Sequence, residues 1–238
     1  MASRKNGLPA GEPVRQFASD NLLIPSKRVT SVTLFYLQQP HCVYDQPMTM
    51  KYIFVDLDET LIHCSFLGST DKSKKFVRKG SEVINLSLGD ETPEYYQCTL
   101  RNGAIDLLSK LRDLPNAEVY MLTAATKDYA LANSETFNLR FTGDSIFSRE
   151  DTNLLASRVA DRFKPEGDFD MFLLDNLPYS DNNIKIDWLT SLARAIGDSS
   201  KRFSRSHYIQ VPDYYGAKNS KAFKDEYIAD IIEQIKSS

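Results

Sequence analysis

Asp56 and Asp58 follow directly on the apolar run Ile53-Phe54-Val55, with only Leu57 between them and Glu59-Thr60-Leu61-Ile62 after them. Residues two apart on an extended chain share a face, so both carboxylates can address one centre just past the end of a buried strand. Two acids that end an apolar run are costly unless something uses their charge. The chemistry that fits is phosphoryl transfer with Mg2+, in which one carboxylate attacks phosphorus and the other handles the proton. The competing account of an isolated D-x-D is a surface loop with two solvated acids.

A parallel α/β sheet places its ligand outside the carboxyl ends of its strands, so a real site should recruit polar residues that follow other apolar runs. The chain repeats that arrangement twice. Val119-Tyr120-Met121-Leu122 is followed at once by Thr123, and Met171-Phe172-Leu173-Leu174 by Asp175-Asn176. A phosphoryl group in transfer spreads negative charge over its oxygens and also needs a fixed cation.

Residues 53 to 62 fit the D-x-D-x-[TV] signature and resemble the haloacid dehalogenase superfamily of phosphotransferases. The resemblance implies that Asp56 is the nucleophile that forms an aspartyl-phosphate. It makes Asp58 the group that protonates the leaving oxygen and later activates water. It assigns Thr123 to the phosphoryl group and Asp175 to Mg2+. The cation it implies is Lys164 in Arg162-Phe163-Lys164-Pro165, a short segment before the Asp175 strand, with Arg158 and Arg162 as alternatives. The implied Mg2+ ligands are an Asp56 carboxylate oxygen, the backbone carbonyl of Asp58, and Asp175 or Asn176. Mg2+ keeps several waters, so two or three protein oxygens suffice. Asp175-Asn176-Leu177-Pro178 departs from the commoner acidic pair and resembles the branch of phosphatases that act on the carboxy-terminal domain of RNA polymerase II.

The elements that must hold these residues read as α/β: a Rossmann-like central parallel sheet flanked by helices. Ala104 to Leu114 and Lys127 to Phe137 carry apolar residues at helical spacing, and Tyr129, Ala132 and Phe137 read as core. Tyr208-Ile209-Gln210-Val211 reads as a strand and Ser220 to Lys236 as a closing helix. Residues 65 to 100 read as a small β insertion, with strands at Phe76-Val77-Arg78, Glu82 to Leu88 and Tyr95 to Leu100 punctuated by Gly80 and Gly89-Asp90. Residues 183 to 206 read as a second insertion, with a helix through Trp188, Leu189, Leu192, Ala193 and Ile196 as its core. Residues 1 to 30 mix Gly, Pro, Ser and charge without periodicity and read as a mobile arm ahead of a single domain spanning 31 to 238. Val32 to Leu37 reads as a strand or a packed extension.

At 238 residues, 42% apolar and 26% charged, the chain suits one domain with a substantial core. No run approaches a membrane span, and the polar stretch from Met1 to Pro13 lacks the apolar core of a signal peptide. Cys42, Cys64 and Cys98 are odd in number and scattered, which reads as reduced thiols in the cytoplasm or nucleus. His41-Cys42 and His63-Cys64 are poor zinc chelates, because adjacent residues on an extended chain point to opposite faces. Net charge is -3, from 29 basic and 32 acidic side chains, and gives no general attraction to nucleic acid. The basic runs Lys72 to Lys75 with Arg78 and Lys79, and Lys201-Arg202 with Arg205 and His207, read as solvated loops, the first of them near the site.

A short β insertion, by the same resemblance, leaves the site open to bulky substrates. The expected partner is a phosphorylated macromolecule, a phosphoprotein first and a nucleic-acid end second, with nucleotides as a further alternative. A catalytically silent phosphate-binding module is disfavoured, because every motif position carries a competent residue.

Overall fold

Strand β1 (Met50–Val55) is buried on both faces from Tyr52 onward. Ile53 and Val55 enter one hydrophobic cluster, whereas Tyr52 and Phe54 enter a second on the opposite side. A continuous apolar run is what a central parallel strand requires, since alternate side chains face opposite layers. β1 pairs in parallel with β5 (Ala117–Leu122) on one side and β7 (Phe169–Asp175) on the other. β6 (Ile146–Phe147) adds outside β5 and β8 (Tyr208–Gln210) outside β7, giving the order β6-β5-β1-β7-β8. The computed structural model describes residues 49–69, 81–86, 93–165, 167–197, 203–216 and 222–238, all within the compact unit Tyr44–Ser238.

Helices cover both faces, as the alternation of apolar runs predicts. Leu107, Leu108 and Leu111 of α1 (Ala104–Arg112), Tyr129 and Ala130 of α2 (Lys127–Thr136), and Ile228, Ile231 and Ile235 of α5 (Asp225–Lys236) fill the first cluster. After the short helix α3 (Arg149–Thr152), α4 (Asn183–Ile196) fills the second with Ile186, Trp188, Leu189, Leu192 and Ala193. The segment read as an insertion is therefore one wall of the core.

A second, antiparallel sheet of order β2-β4-β3 is formed by β2 (Ile62–Gly68), β3 (Glu82–Leu86) and β4 (Glu94–Leu100). It starts three residues earlier than expected, because β2 leaves the Asp56–Leu61 turn directly. That turn is tight: the amides of Leu61 and Ile62 both donate to the Leu57 carbonyl, and Glu59 takes φ 56 in the left-handed region. The mobile arm expected over residues 1 to 30, the Val32–Leu37 extension, the strand at 76–78, the basic runs at 72–79 and 201–202, and residues 87–88 and 220–221 lie outside the described residues.

One expectation is overturned. Cys64 and Cys98 are register partners across β2 and β4 and form a disulfide rather than standing as free thiols. Their pairing follows from strand register, which spacing along the sequence does not reveal, and it removes the cysteine argument for a reducing compartment. Among the described residues no helix is long and apolar enough to cross a membrane.

Candidate active site

The carboxyl ends of β1, β5 and β7 bring the predicted residues to one sheet edge. Val55 pairs with Leu174 on one side and Met121 on the other, so Asp56 stands beside Asp175, and Thr123 lies two residues beyond the β5 partner. The ladders continue into the site: the Asp56 amide donates to the Leu174 carbonyl at 2.9 Å, and the Thr123 amide to the Phe147 carbonyl at 2.9 Å. Asp56, Thr123, Asp175 and Asn176 are all buried.

Between the two aspartates sits Lys185. Its ammonium donates to Asp56 Oδ1 at 2.5 Å and to Asp175 Oδ2 at 2.6 Å. Burial alone would lower the Lys185 pKa, but the charges of Asp56 and Asp175 overturn that and hold the ammonium above its usual range. Burial pushes the Asp56 carboxyl up to about 7; Lys185 opposes this, and Asp175 and Asp58 add to it. More carboxylate than cation is thus gathered at the edge, which leaves the site receptive to further positive charge.

Lys164, Arg158 and Arg162 are exposed. The cation that meets the carboxylates comes from the start of α4, downstream of Asp175, instead of from the segment upstream of it. The sequence does carry a signal for this. Lys185 precedes Trp188, Leu189, Leu192 and Ile196 at helical spacing, and a charged residue on the apolar stripe of a helix has to find a buried partner.

Thr60, the last residue of the D-x-D-x-T motif, ties the strands together. Its hydroxyl lies 3.1 Å from Asp56 Oδ2 and 3.2 Å from Asn176 Oδ1, and it accepts from the Asn176 amide at 3.1 Å. Asn176 Nδ2 donates to Asp213 Oδ1 at 3.0 Å. Asp213 follows β8, so a fourth strand end contributes to the edge. A carboxylate only accepts, so this bond fixes the amide with its oxygen toward the Thr60 hydroxyl.

The donors fit a hard dication: Asp56, Asp175 and the Asn176 amide offer oxygen ligands only, in a setting with excess negative charge. Among the described residues no group of three His, Cys, Asp or Glu side chains forms a ready metal cage.

Asp58 stands apart from this cluster. Tyr129 Oη donates to Asp58 Oδ1 at 2.7 Å. Burial raises the Asp58 pKa, against opposing pulls from the Tyr129 hydrogen bond, Lys185 and His63. Burial is therefore the cause that keeps this acid protonated more readily than an ordinary aspartate. The Thr123 hydroxyl accepts from the Ala125 amide at 3.1 Å, which leaves its own proton to give. Tyr129 reads in the sequence only as part of a core stripe, and Asp213 gives no signal at all.

No curated protein matches the chain. Among solved structures, it resembles a fission yeast RNA polymerase II CTD phosphatase, an Fcp1 variant bound to beryllium fluoride, at 18% identity and a TM-score of 0.44 over 79% of this chain and 50% of that one. It also resembles Fcp1 described as an essential RNA polymerase II CTD phosphatase, at 19% identity and a TM-score of 0.45 over 79% and 48%. A third likeness is to the Legionella pneumophila effector Ceg4 with an N-terminal yeast Hog1p sequence, at 11% identity and a TM-score of 0.38 over 80% and 98%. The chain spans about half the length of the Fcp1 chains it matches. Residues 51–165, which include Asp56, Asp58, Thr60 and Thr123, match the family described as NLI interacting factor-like phosphatase. The match takes in the ends of β1 and β5 and stops short of Asp175 and Lys185, and it makes the chain similar to the CTD phosphatase-like branch of the haloacid dehalogenase phosphatases.

Proposed function

We propose that the protein is a Mg2+-dependent phosphomonoester hydrolase that works through an aspartyl-phosphate on Asp56, with phosphoserine or phosphothreonine in a protein as its substrate. The observation that carries the reading is the division of labour among the acids. Asp56 and Asp175 share one buried ammonium, whereas Asp58 is set apart and held by a tyrosine.

In the first step a carboxylate oxygen of Asp56 bonds to phosphorus, the bond from phosphorus to the ester oxygen breaks, and the departing alkoxide takes the proton of Asp58. Lys185 favours the ionised form of Asp56 against its burial and offers positive charge to the phosphoryl oxygens as they near Asp56. Thr123 donates its hydroxyl to one of those oxygens. Asp56, the Asp58 carbonyl, Asp175 and Asn176 would hold Mg2+, which supplies charge neutralisation of the transferring group when bound. In the second step Asp58, now a carboxylate, takes a proton from water as the water attacks phosphorus. Phosphate leaves, and both acids return to their starting states.

Support for a bulky substrate comes from the insertion, whose described residues form strands only, and by resemblance such an insertion leaves the site open. The net charge of -3 argues for a protein over a nucleic-acid end. The deciding experiment compares Mg2+-dependent phosphate release from phosphoserine and phosphothreonine peptides, nucleotides, and 3'- or 5'-phosphorylated oligonucleotides. Peptides should be hydrolysed fastest, and Asp56→Asn should lose nearly all turnover with its melting curve preserved. Faster release from oligonucleotides that collapses with salt would move the substrate to nucleic acid. An active Asp56→Asn protein would remove the nucleophile assignment.

A further inference from the structure

We infer that Tyr129 is a positioning residue for the acid step, fixing which oxygen of Asp58 carries the proton. The inference rests on the reading of Asp58 as general acid and base.

Tyr129 is buried in α2, and its hydroxyl donates to Asp58 Oδ1 at 2.7 Å. A carboxylic acid has one protonated and one accepting oxygen. A phenol donates best to the oxygen that carries no proton, so its bond to Oδ1 favours the acid's proton on Oδ2. Asp58 also borders a cavity of about 440 Å3 that Tyr96, Thr126, Tyr129 and Arg149 line, so the group held in this way has open space beside it for a substrate. After the proton leaves, Oδ1 stays on the tyrosine, and the same Oδ2 is ready to take a proton from water.

The tyrosine is itself held. The Tyr96 ring of β4 meets the Tyr129 ring edge to face at 5.4 Å, and Phe66 of β2 packs on Tyr96 at 5.4 Å. The Asn133 amide donates to the Tyr129 carbonyl at 3.0 Å one turn along α2. An aromatic row thus runs from the insertion sheet to the acid, and it fixes the phenol where a residue free to rotate would leave the proton on either oxygen. Oriented general acids matter in proportion to how poorly the leaving group departs unaided.

The test is Tyr129→Phe, read as kcat/KM, which reports phosphoryl transfer and not breakdown of the aspartyl-phosphate. A phosphoserine peptide, with an alkoxide leaving group, is compared with an aryl phosphate whose phenolate leaves without help. The peptide rate should fall about tenfold further than the aryl rate. Asp58→Asn should show the same bias, more strongly. Adding Tyr129→Phe to Asp58→Asn should change nothing further, since the acid it serves is gone. A purely structural tyrosine would slow both substrates alike and would cost as much again in the Asp58→Asn background, so either result overturns the inference. Any softening of the fold by the substitution is present in both backgrounds and cancels in the cycle. Should Asp56→Asn stay active, or Asp58→Asn show no leaving-group bias, the underlying reading fails and this inference with it. Equal losses from Tyr129→Phe with both of those controls intact would sink the tyrosine alone.

Discussion

Lys185 carries the largest electrostatic responsibility of any residue at the site. Removing one partner of a buried ion pair leaves the other uncompensated, at about 3–5 kcal/mol. Here Asp56 and Asp175 would face each other without an ammonium between them. Lys185→Met should therefore lower both activity and stability, activity by about two orders of magnitude or more. Lys164→Ala removes an exposed charge and should stay within about 0.5 kcal/mol of the parent in stability. Phosphate release and melting curves of the two variants side by side decide the matter, and a Lys164→Ala protein crippled to the same degree would return the role to the upstream segment. At the residue scale, Asp56 and Asp175 are legible as strand ends because there one apolar run meets one acid. Lys185 is not, because a lysine on a helix stripe declares that it needs a buried partner without saying which one.

Among the elements, the strands of the main sheet were legible because burial on both faces forces unbroken apolar runs, as in Ile53-Phe54-Val55 and Met171 to Leu174. β6 was not, since two residues make no periodicity. β2 was missed for a related reason: His63 and Cys64 are only partly covered and Ser65 and Phe66 are exposed, so no alternation marks the strand. The disulfide that joins β2 to β4 spans a sequence separation of 34 residues and contributes about 2–4 kcal/mol in the chain-entropy account. Cys98→Ala, or treatment of the parent with a thiol reductant, should move the denaturant midpoint down accordingly. An unchanged midpoint on reduction would mean that the two sulfurs lend the insertion sheet nothing as a bond. The sheet's link to the site runs through Tyr96 and Tyr129, so insertion and catalytic edge are expected to loosen together when that bond is cut.

For the molecule as a whole, the buried acids make stability depend on pH in a direction opposite to ordinary salt-bridged carboxylates. A carboxyl raised from 3.8 to about 7 binds its proton more tightly folded than unfolded. The stability Asp56 contributes in this way is full below the ordinary carboxylate range and is lost as pH climbs from about 4 through about 7. Metal-free protein should accordingly melt at a lower temperature at pH 8 than at pH 5, and Asp56→Asn should flatten that slope. A parent and variant with parallel profiles would show that Asp56 is ionised throughout. Mg2+ added at pH 8 should recover stability, because an ion that binds only the folded state adds to it.

Asn176 is read most simply as a concession to its neighbour beyond β8. An aspartate in its place would bring carboxylate oxygen against carboxylate oxygen where amide and acid now meet at 3.0 Å, with no proton to share between them. An amide is the side chain of that length that offers hydrogen to one side and lone pairs to the other. The chain's departure from the commoner acidic pair is thus dictated from outside the motif, and restoring the acid would first require Asp213 to give way.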